Sequence, residues 1–146
     1  MKHSSLQDYY NAIGEDIYYY KIFITIRNPF DRMVSFYFSP HRGDVRYERD
    51  DFAQFIKNVK PLEKFIYLEE TVSSRNQLYG NINFLRFEHL NKDFMKITRE
   101  LGIQGINLPH RNSSKRNNYK SYYDKELINI ISNIHKYEIA LGNYSF

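Results

Sequence analysis

The sequence predicts an α/β fold in which a short parallel sheet is flanked by helices. Two short apolar runs, Ile22–Ile26 and residues 82–87, have the composition of strands, and segments with helical periodicity lie between and around them. Parallel strands need a long crossover connection, which the intervening helical segments provide. The 146 residues are expected to form one domain, spanning 1–146.

The first predicted elements are a helix and a strand. Ser5 can cap a helix, and Asp8 stands three residues later in a capping-box position. An apolar stripe follows, and Gly14 is a natural stop. The next run, Ile22–Ile26, is almost wholly apolar and β-branched, so we expect a strand covered on both faces.

The residues after this strand have the features of a helix start. Asn28 is a favourable N-cap, and Pro29 suits the first helical position, where a missing N–H costs nothing. Asp31 in the first turn complements the helix dipole. Apolar residues then recur at i, i+3, i+4, i+7 and i+8 and form one stripe: Phe30, Met33, Val34, Tyr37 and Phe38.

Arg27 and Ser35 are predicted to converge at this strand–helix corner. Arg27 ends the strand, and Ser35 lies on the polar side of the helix, two turns after its start. Anions are favoured at the carboxyl ends of parallel strands and at helix N-termini, where backbone amides can assist. The alternative is a structural corner in which Arg27 pairs with Asp31 and Ser35 is solvated.

The rest of the chain is predicted to contain three further main helices. Residues 52–59 have helical spacing and end before Pro61, and Asn91 can cap a helix that stops at Gly102. A last helix covers residues 127–134. Residues 61–80 are ambiguous, with a short helix at 62–68 followed by a loop at 71–77. Residues 104–123 form a long polar loop, and such loops are often functional.

Composition limits the classes of partner. The net charge of +4 and the pI of about 9.1 suit anionic ligands such as nucleotides, acidic sugars or nucleic acid. The absence of cysteine excludes disulfides and thiolate metal sites, and no His/Asp/Glu cluster has metal-ligand spacing, so no metal is predicted. No apolar stretch approaches the roughly 20 residues that span a bilayer.

The residues after the first strand, Arg-Asn-Pro-Phe-Asp-Arg-Met-Val-Ser-Phe-Tyr-Phe from Arg27 onward, carry a family resemblance. They resemble the 3′-phosphate-binding segment of the carbohydrate sulfotransferase family, which includes heparan and chondroitin O-sulfotransferases. Later segments resemble that family in their usual order and extend the similarity over most of the chain from Lys21: residues 83–94, 101–103, 108–116, 122–124 and 142–146.

The resemblance implies a function and its partners. It implies transfer of a sulfuryl group from 3′-phosphoadenosine 5′-phosphosulfate (PAPS) to a carbohydrate hydroxyl, with no metal. Phenol or tyrosine acceptors are less expected. Animal members of the family are usually membrane-anchored, whereas this chain resembles a soluble, cytoplasmic, bacterial-type relative. A basic nucleic-acid-binding module is the least favoured alternative, because no nucleic-acid motif is present.

The resemblance also implies roles for individual residues. Arg27 and Ser35 are expected to bind the 3′-phosphate of the nucleotide. Ser114, Lys115 and Arg116 lie in a loop expected to close over the nucleotide or the acceptor, with a solvated basic loop as the alternative. His3, which precedes Arg27 by 24 residues, is the candidate base, unless it belongs to a frayed terminus.

Members of this family begin with a strand and a phosphosulfate-binding loop that the present sequence does not contain. We therefore expect the C-terminal part of a P-loop-like three-layer domain, N-terminally truncated and without its first strand. It is either a fragment of an enzyme or a degenerate protein, and this chain alone is expected to transfer sulfate poorly. A non-catalytic remnant that binds adenosine 3′,5′-bisphosphate or a glycan is the second alternative.

Overall fold

A computed structural model describes residues 4–69, 72–103, 106, 108–109 and 116–146, with the side chains of 72–75 left out. Helix α1 spans Leu6–Ile13 and begins with the predicted capping box. The Asp8 amide donates to Ser5 Oγ at 3.1 Å, and the Ser5 amide donates to Asp8 Oδ2 at 2.7 Å. Gly14 ends the helix with a φ of +60°, a conformation that favours glycine.

The predicted α/β class is confirmed by a parallel pair of strands, β1 (Ile22–Ile26) and β2 (Ile82–Arg86). Ile22 lies opposite Ile82, and Ile26 lies opposite Arg86. The expectation that β1 is covered on both faces is wrong, because Phe23 is 38% exposed and Thr25 is also exposed. Apolar composition indicated burial, but only the face with Ile22, Ile24 and Ile26 packs against helices.

Seven further helices follow β1. They are α2 (Pro29–Tyr37), α3 (Arg49–Asn58), α4 (Glu63–Ile66), α5 (Val72–Gly80), α6 (Leu90–Glu100), α7 (Lys125–Ile134) and α8 (Lys136–Gly142). Short 3₁₀ turns lie at Gly14–Tyr19, Pro40–Arg42, Phe87–His89 and Tyr119–Tyr122. These counts refer to the described ranges.

Two helix assignments differ from the prediction. The predicted loop at 71–77 overlaps α5, which lacks an apolar stripe and is anchored near its end by the buried Leu78. Asn91 does not cap α6, because the 3₁₀ turn Phe87–His89 runs directly into that helix and Leu90 is already helical. Tertiary packing outweighs local propensity at both positions.

The apolar residues form two clusters. One lies among α2, α3 and α7 and contains Phe30, Met33, Val34, Tyr37, Phe52, Ala53, Ile56, Leu127 and Ile131. The other packs α1, α4 and α5 against one face of the sheet and contains Leu6, Ile17, Ile26, Leu62, Ile66, Leu68 and Leu78. Helix α2 is thus held by the first cluster, while β1, which leads into it, is held by the second.

The start of α2 is fastened to other parts of the chain. The Asn28 side chain accepts a hydrogen bond from the Phe30 amide at 3.0 Å, as predicted for an N-cap. The backbone N–H of Asn28 donates to Glu88 Oε1 at 2.8 Å, and Asn28 Nδ2 donates to the Ser145 carbonyl at 3.1 Å. The corner between β1 and α2 therefore contacts residues after β2 and near position 145.

Across the described ranges, the helices include none that combines the length and the apolar character needed to cross a bilayer.

Candidate functional site

Arg27 and Ser35 lie in direct contact at the β1–α2 corner. Arg27 Nη1 donates a hydrogen bond to Ser35 Oγ at 3.1 Å. Because the Ser35 oxygen is the acceptor, its own hydroxyl proton remains available, and no acceptor for it occurs among the described residues. The predicted convergence of these two side chains is present.

Asp31 binds the other edge of the same guanidinium. Arg27 Nε donates to Asp31 Oδ2 at 2.8 Å, and Arg27 Nη2 forms an ion pair with that oxygen. The side chains of Arg27 and Asp31 are 17% and 20% exposed. The Arg27–Asp31 pair of the structural alternative is therefore present, but Ser35 is hydrogen-bonded to Arg27 and not merely solvated.

Arg116 approaches this cluster from a distant part of the chain. Its Nη2 lies 2.5 Å from Asp31 Oδ1, and its side chain is 14% exposed. Two guanidiniums therefore flank one carboxylate, which leaves a net charge of +1 in this group. Of the other predicted site residues, His3, Ser114 and Lys115 lie outside the described residues.

Phe87 covers one face of the Arg27 guanidinium. The central carbon of that guanidinium lies 4.1 Å from the centre of the Phe87 ring, within the range of a cation–π contact. Phe87 remains 44% exposed and lines a surface groove of about 470 Å³. The other residues of this groove are Glu88, His89, Leu90, Asn91, Lys92, Leu108 and Pro109. Arg27 is thus adjacent to an open surface and not sealed in the core.

The N-terminus of α2 is largely occupied by protein groups. Pro29 has no N–H, and the Phe30 and Asn28 amides are bound by Asn28 Oδ1 and Glu88 Oε1. Glu88 Oε2 also accepts a hydrogen bond from the Tyr144 hydroxyl at 3.1 Å. The Asn28 and Glu88 side chains thus satisfy the Phe30 and Asn28 amides, and assistance to an anion by the remaining amides of the first turn stays a prediction.

Tyrosines from the Tyr119–Tyr122 turn and its end surround the cluster. Burial and the Asp31 carboxylate raise the pKa of Tyr119, while its contact with Asn28 lowers it. Burial, with a smaller contribution from Asp31, also raises the pKa of Tyr123, whose hydroxyl donates to the Phe30 carbonyl at 2.7 Å. Tyr122 packs against Phe38 and Tyr47. Tyr122 and Tyr123 thus pack into the fold beside the cluster.

His135 belongs to a buried polar group with Arg32 and Glu138. His135 is fully buried, with Nδ1 3.3 Å from both Arg32 Nη2 and Glu138 Oε1. Within the described ranges, no three His, Asp or Glu side chains are grouped to hold a metal ion.

Comparison with known protein families decides the class of the protein. The model of the Sulfotransferase family matches residues 1–145, which is almost the whole chain. The chain belongs to the Sulfotransferase family. Its reaction class is therefore sulfuryl transfer, and the resemblance derived from the sequence is confirmed at the level of the family. No curated protein and no solved structure shows significant similarity to this sulfotransferase.

Sequence reasoning did not identify Phe87 or the bridging position of Asp31. Phe87 directly follows β2, whose carboxyl end lies at the same edge of the sheet as Arg27. That adjacency follows from a parallel pairing and could have indicated Phe87. The bridge from Asp31 to Arg116 has no such signal, because it joins residues 85 positions apart.

Proposed function

We propose that this sulfotransferase binds PAPS through its 3′-phosphate and transfers the sulfuryl group to a carbohydrate hydroxyl. The proposal depends mainly on one observation, the contact of Arg27 Nη1 with Ser35 Oγ at the carboxyl end of β1. Arg116 adds a second guanidinium beside the same cluster. The family supports sulfuryl transfer, and this geometry supports the choice of a phosphorylated nucleotide donor.

The chemistry of the cluster fits a phosphate attached to a ribose. Guanidiniums bind phosphate oxygens through paired N–H donors and stay charged at all physiological pH values. The Ser35 hydroxyl can add a third donor from the adjacent helix. The net charge of +1 attracts an anion, and the side chains of Arg27 and Arg116 are partly exposed to solvent.

In the proposed reaction, the acceptor hydroxyl oxygen forms a bond to sulfur. The bond between sulfur and the bridging oxygen of the 5′-phosphate breaks, and adenosine 3′,5′-bisphosphate leaves. We propose that His3 takes the proton of the acceptor hydroxyl. Arg27, Ser35 and Arg116 hold the nucleotide and thereby orient the donor. Ser114 and Lys115 are proposed to close over the nucleotide.

Thermal unfolding with and without adenosine 3′,5′-bisphosphate tests the nucleotide site. A ligand at 100 times its Kd stabilises the folded state by about 2.7 kcal/mol, which raises the Tm measurably. The shift should disappear in Arg27→Ala and persist in Arg46→Ala, which removes an exposed arginine elsewhere. A folded protein whose Tm does not respond to the nucleotide would refute the proposed site.

A second assay separates transfer from binding. The protein is incubated with PAPS carrying ³⁵S and with unsulfated heparan, chondroitin and a phenol, and label in each product is counted. Label in a polysaccharide supports the proposal, and label in the phenol alone refutes the carbohydrate acceptor. Nucleotide binding without label in any product agrees both with the poor transfer expected of this chain alone and with the non-catalytic alternative, in which the same site binds adenosine 3′,5′-bisphosphate.

A further inference from the structure

We propose that Asp31 is a positioning residue of the anion site. Its carboxylate holds Arg27 and Arg116 side by side, so that both guanidiniums face one bound phosphate. This inference rests on the proposed function, because it assumes that the Arg27–Ser35 corner binds the 3′-phosphate. It assigns a role to a residue that does not itself contact the nucleotide.

The two oxygens of the carboxylate are divided between the two arginines. Oδ2 accepts from Arg27 Nε, and Oδ1 accepts from Arg116 Nη2 at 2.5 Å. Arg27 comes from the end of β1, whereas Arg116 lies 85 residues after Asp31 and belongs to no helix or strand. Asp31, in the first turn of α2, therefore joins the end of β1 to the residues that directly precede the Tyr119–Tyr122 turn.

The carboxylate offsets two costs of such a site. Two guanidiniums at close range repel each other, and one negative charge between them reverses that repulsion. Long arginine side chains also lose rotamer freedom when they bind a ligand, and prior ordering removes part of that loss. Both effects are present before the ligand binds, and both favour tight binding of a phosphate.

A competing interpretation treats Asp31 as an inhibitor that repels the phosphate. The geometry of Arg27 argues against it, because the carboxylate uses the Nε–Nη2 edge and the Nη1 edge faces Ser35. The edge proposed to bind the phosphate is therefore not the one that Asp31 occupies. Phe87 covers one face of the same guanidinium, so the side chain is fixed on three sides.

The test compares two nucleotides that differ only in the 3′-phosphate. Calorimetry gives the Kd of adenosine 3′,5′-bisphosphate and of adenosine 5′-phosphate for the wild type, Asp31→Asn, Arg116→Ala and the double variant. We expect Asp31→Asn to weaken bisphosphate binding about tenfold and to leave 5′-phosphate binding unchanged. The effects of Asp31→Asn and Arg116→Ala should be less than additive, because each removes the same pairing.

The outcomes distinguish this inference from the proposed function. Suppose that Arg27→Ala abolishes the preference for the nucleotide with a 3′-phosphate, but Asp31→Asn keeps that preference or binds the bisphosphate more tightly. The role of Asp31 is then wrong, and the proposed nucleotide site is retained. If the wild type does not distinguish the two nucleotides, or if Arg27→Ala still distinguishes them, both the role of Asp31 and the proposed nucleotide site are wrong.

A second variant is available if Asp31→Asn does not fold. Asp31→Glu then replaces it in the test, since it keeps the charge and displaces the carboxylate oxygens by one methylene. A smaller loss of discrimination is then expected, and unchanged discrimination overturns the inference.

Discussion

Arg32 and Glu138 form an ion pair that ties α2 to α8. Arg32 Nη2 lies 2.6 Å from Glu138 Oε2 and donates to Oε1 at 2.8 Å. The carboxylate is almost fully buried, and it also accepts the Leu62 amide at 2.6 Å. Because Arg32 follows Asp31 directly, this pair fixes the rotation of the helix turn that carries the candidate site.

Replacing Glu138 with glutamine should destabilise the protein strongly. The change leaves the Arg32 charge without its buried partner, and removal of one member of such a pair costs about 3–5 kcal/mol. Urea unfolding followed by circular dichroism measures this loss. Glu100→Gln is the matched control, because its 4.0 Å pair with Lys96 is exposed and should contribute little. Equal stability of the Glu138→Gln variant and the wild type would contradict the structural role of this pair.

Stability should also decrease in acid. Burial raises the pKa of Glu138, but the hydrogen bond with His135 and the charge of Arg32 lower it, and the net pKa lies below the ordinary value of 4.5. A carboxyl with a lowered folded-state pKa contributes stability above its unfolded-state pKa and loses it as the pH falls through the folded-state value.

Urea unfolding at several pH values below about 4.5 tests this dependence. The capping carboxylates of Asp8 and Asp124 also have lowered pKa values, so they contribute a slope of the same sign. As the pH falls, the free energy of unfolding of Glu138→Gln should therefore decrease less steeply than that of the wild type, but it should still decrease. A steeper acid slope in the variant would contradict the assignment to Glu138.

Phe87 is expected to support nucleotide binding through Arg27. Phe87→Leu keeps an apolar side chain but removes the aromatic face under the guanidinium, so binding of adenosine 3′,5′-bisphosphate should weaken about threefold to tenfold. Phe87→Tyr retains the ring and should bind like the wild type. Calorimetric titration of both variants provides the comparison, and equal affinity of the leucine variant would show that the cation–π contact contributes nothing.

A side chain at position 142 should disturb the contacts behind the site. A Cβ added to Gly142 would overlap the ring of Tyr144, whose hydroxyl donates to Glu88. We expect Gly142→Ala to displace that ring and lower stability by about 1–3 kcal/mol, as overpacking does.

Gly80→Ala is the matched control for this substitution, because a Cβ there meets nothing within 4 Å. It should be neutral or slightly stabilising. Thermal unfolding of both variants, with nucleotide titration of each, measures the two effects. An equally stable Gly142→Ala variant would show that the Tyr144 ring moves without cost.

Local rules predicted the elements whose signals lie within a few residues. The Ser5–Asp8 capping box, the strand Ile22–Ile26 and the start of α2 at Pro29 all agree with the structure. The same rules missed α5, which has no apolar stripe, and placed the start of α6 at the wrong residue. In those two regions the neighbouring elements, and not the local sequence, determine the backbone.

The contacts of the candidate site also differ in whether the local sequence could predict them. The sequence alone predicted that Arg27 and Ser35 can converge, because a strand that leads directly into a helix limits the distance between two residues eight positions apart. Only the tertiary structure decided that Asp31 joins Arg27 to Arg116, that Phe87 lies under the guanidinium, and that Glu88 occupies the helix start. Each of these contacts joins segments brought together by core packing, and core packing depends on the whole chain and not on the spacing of neighbouring residues.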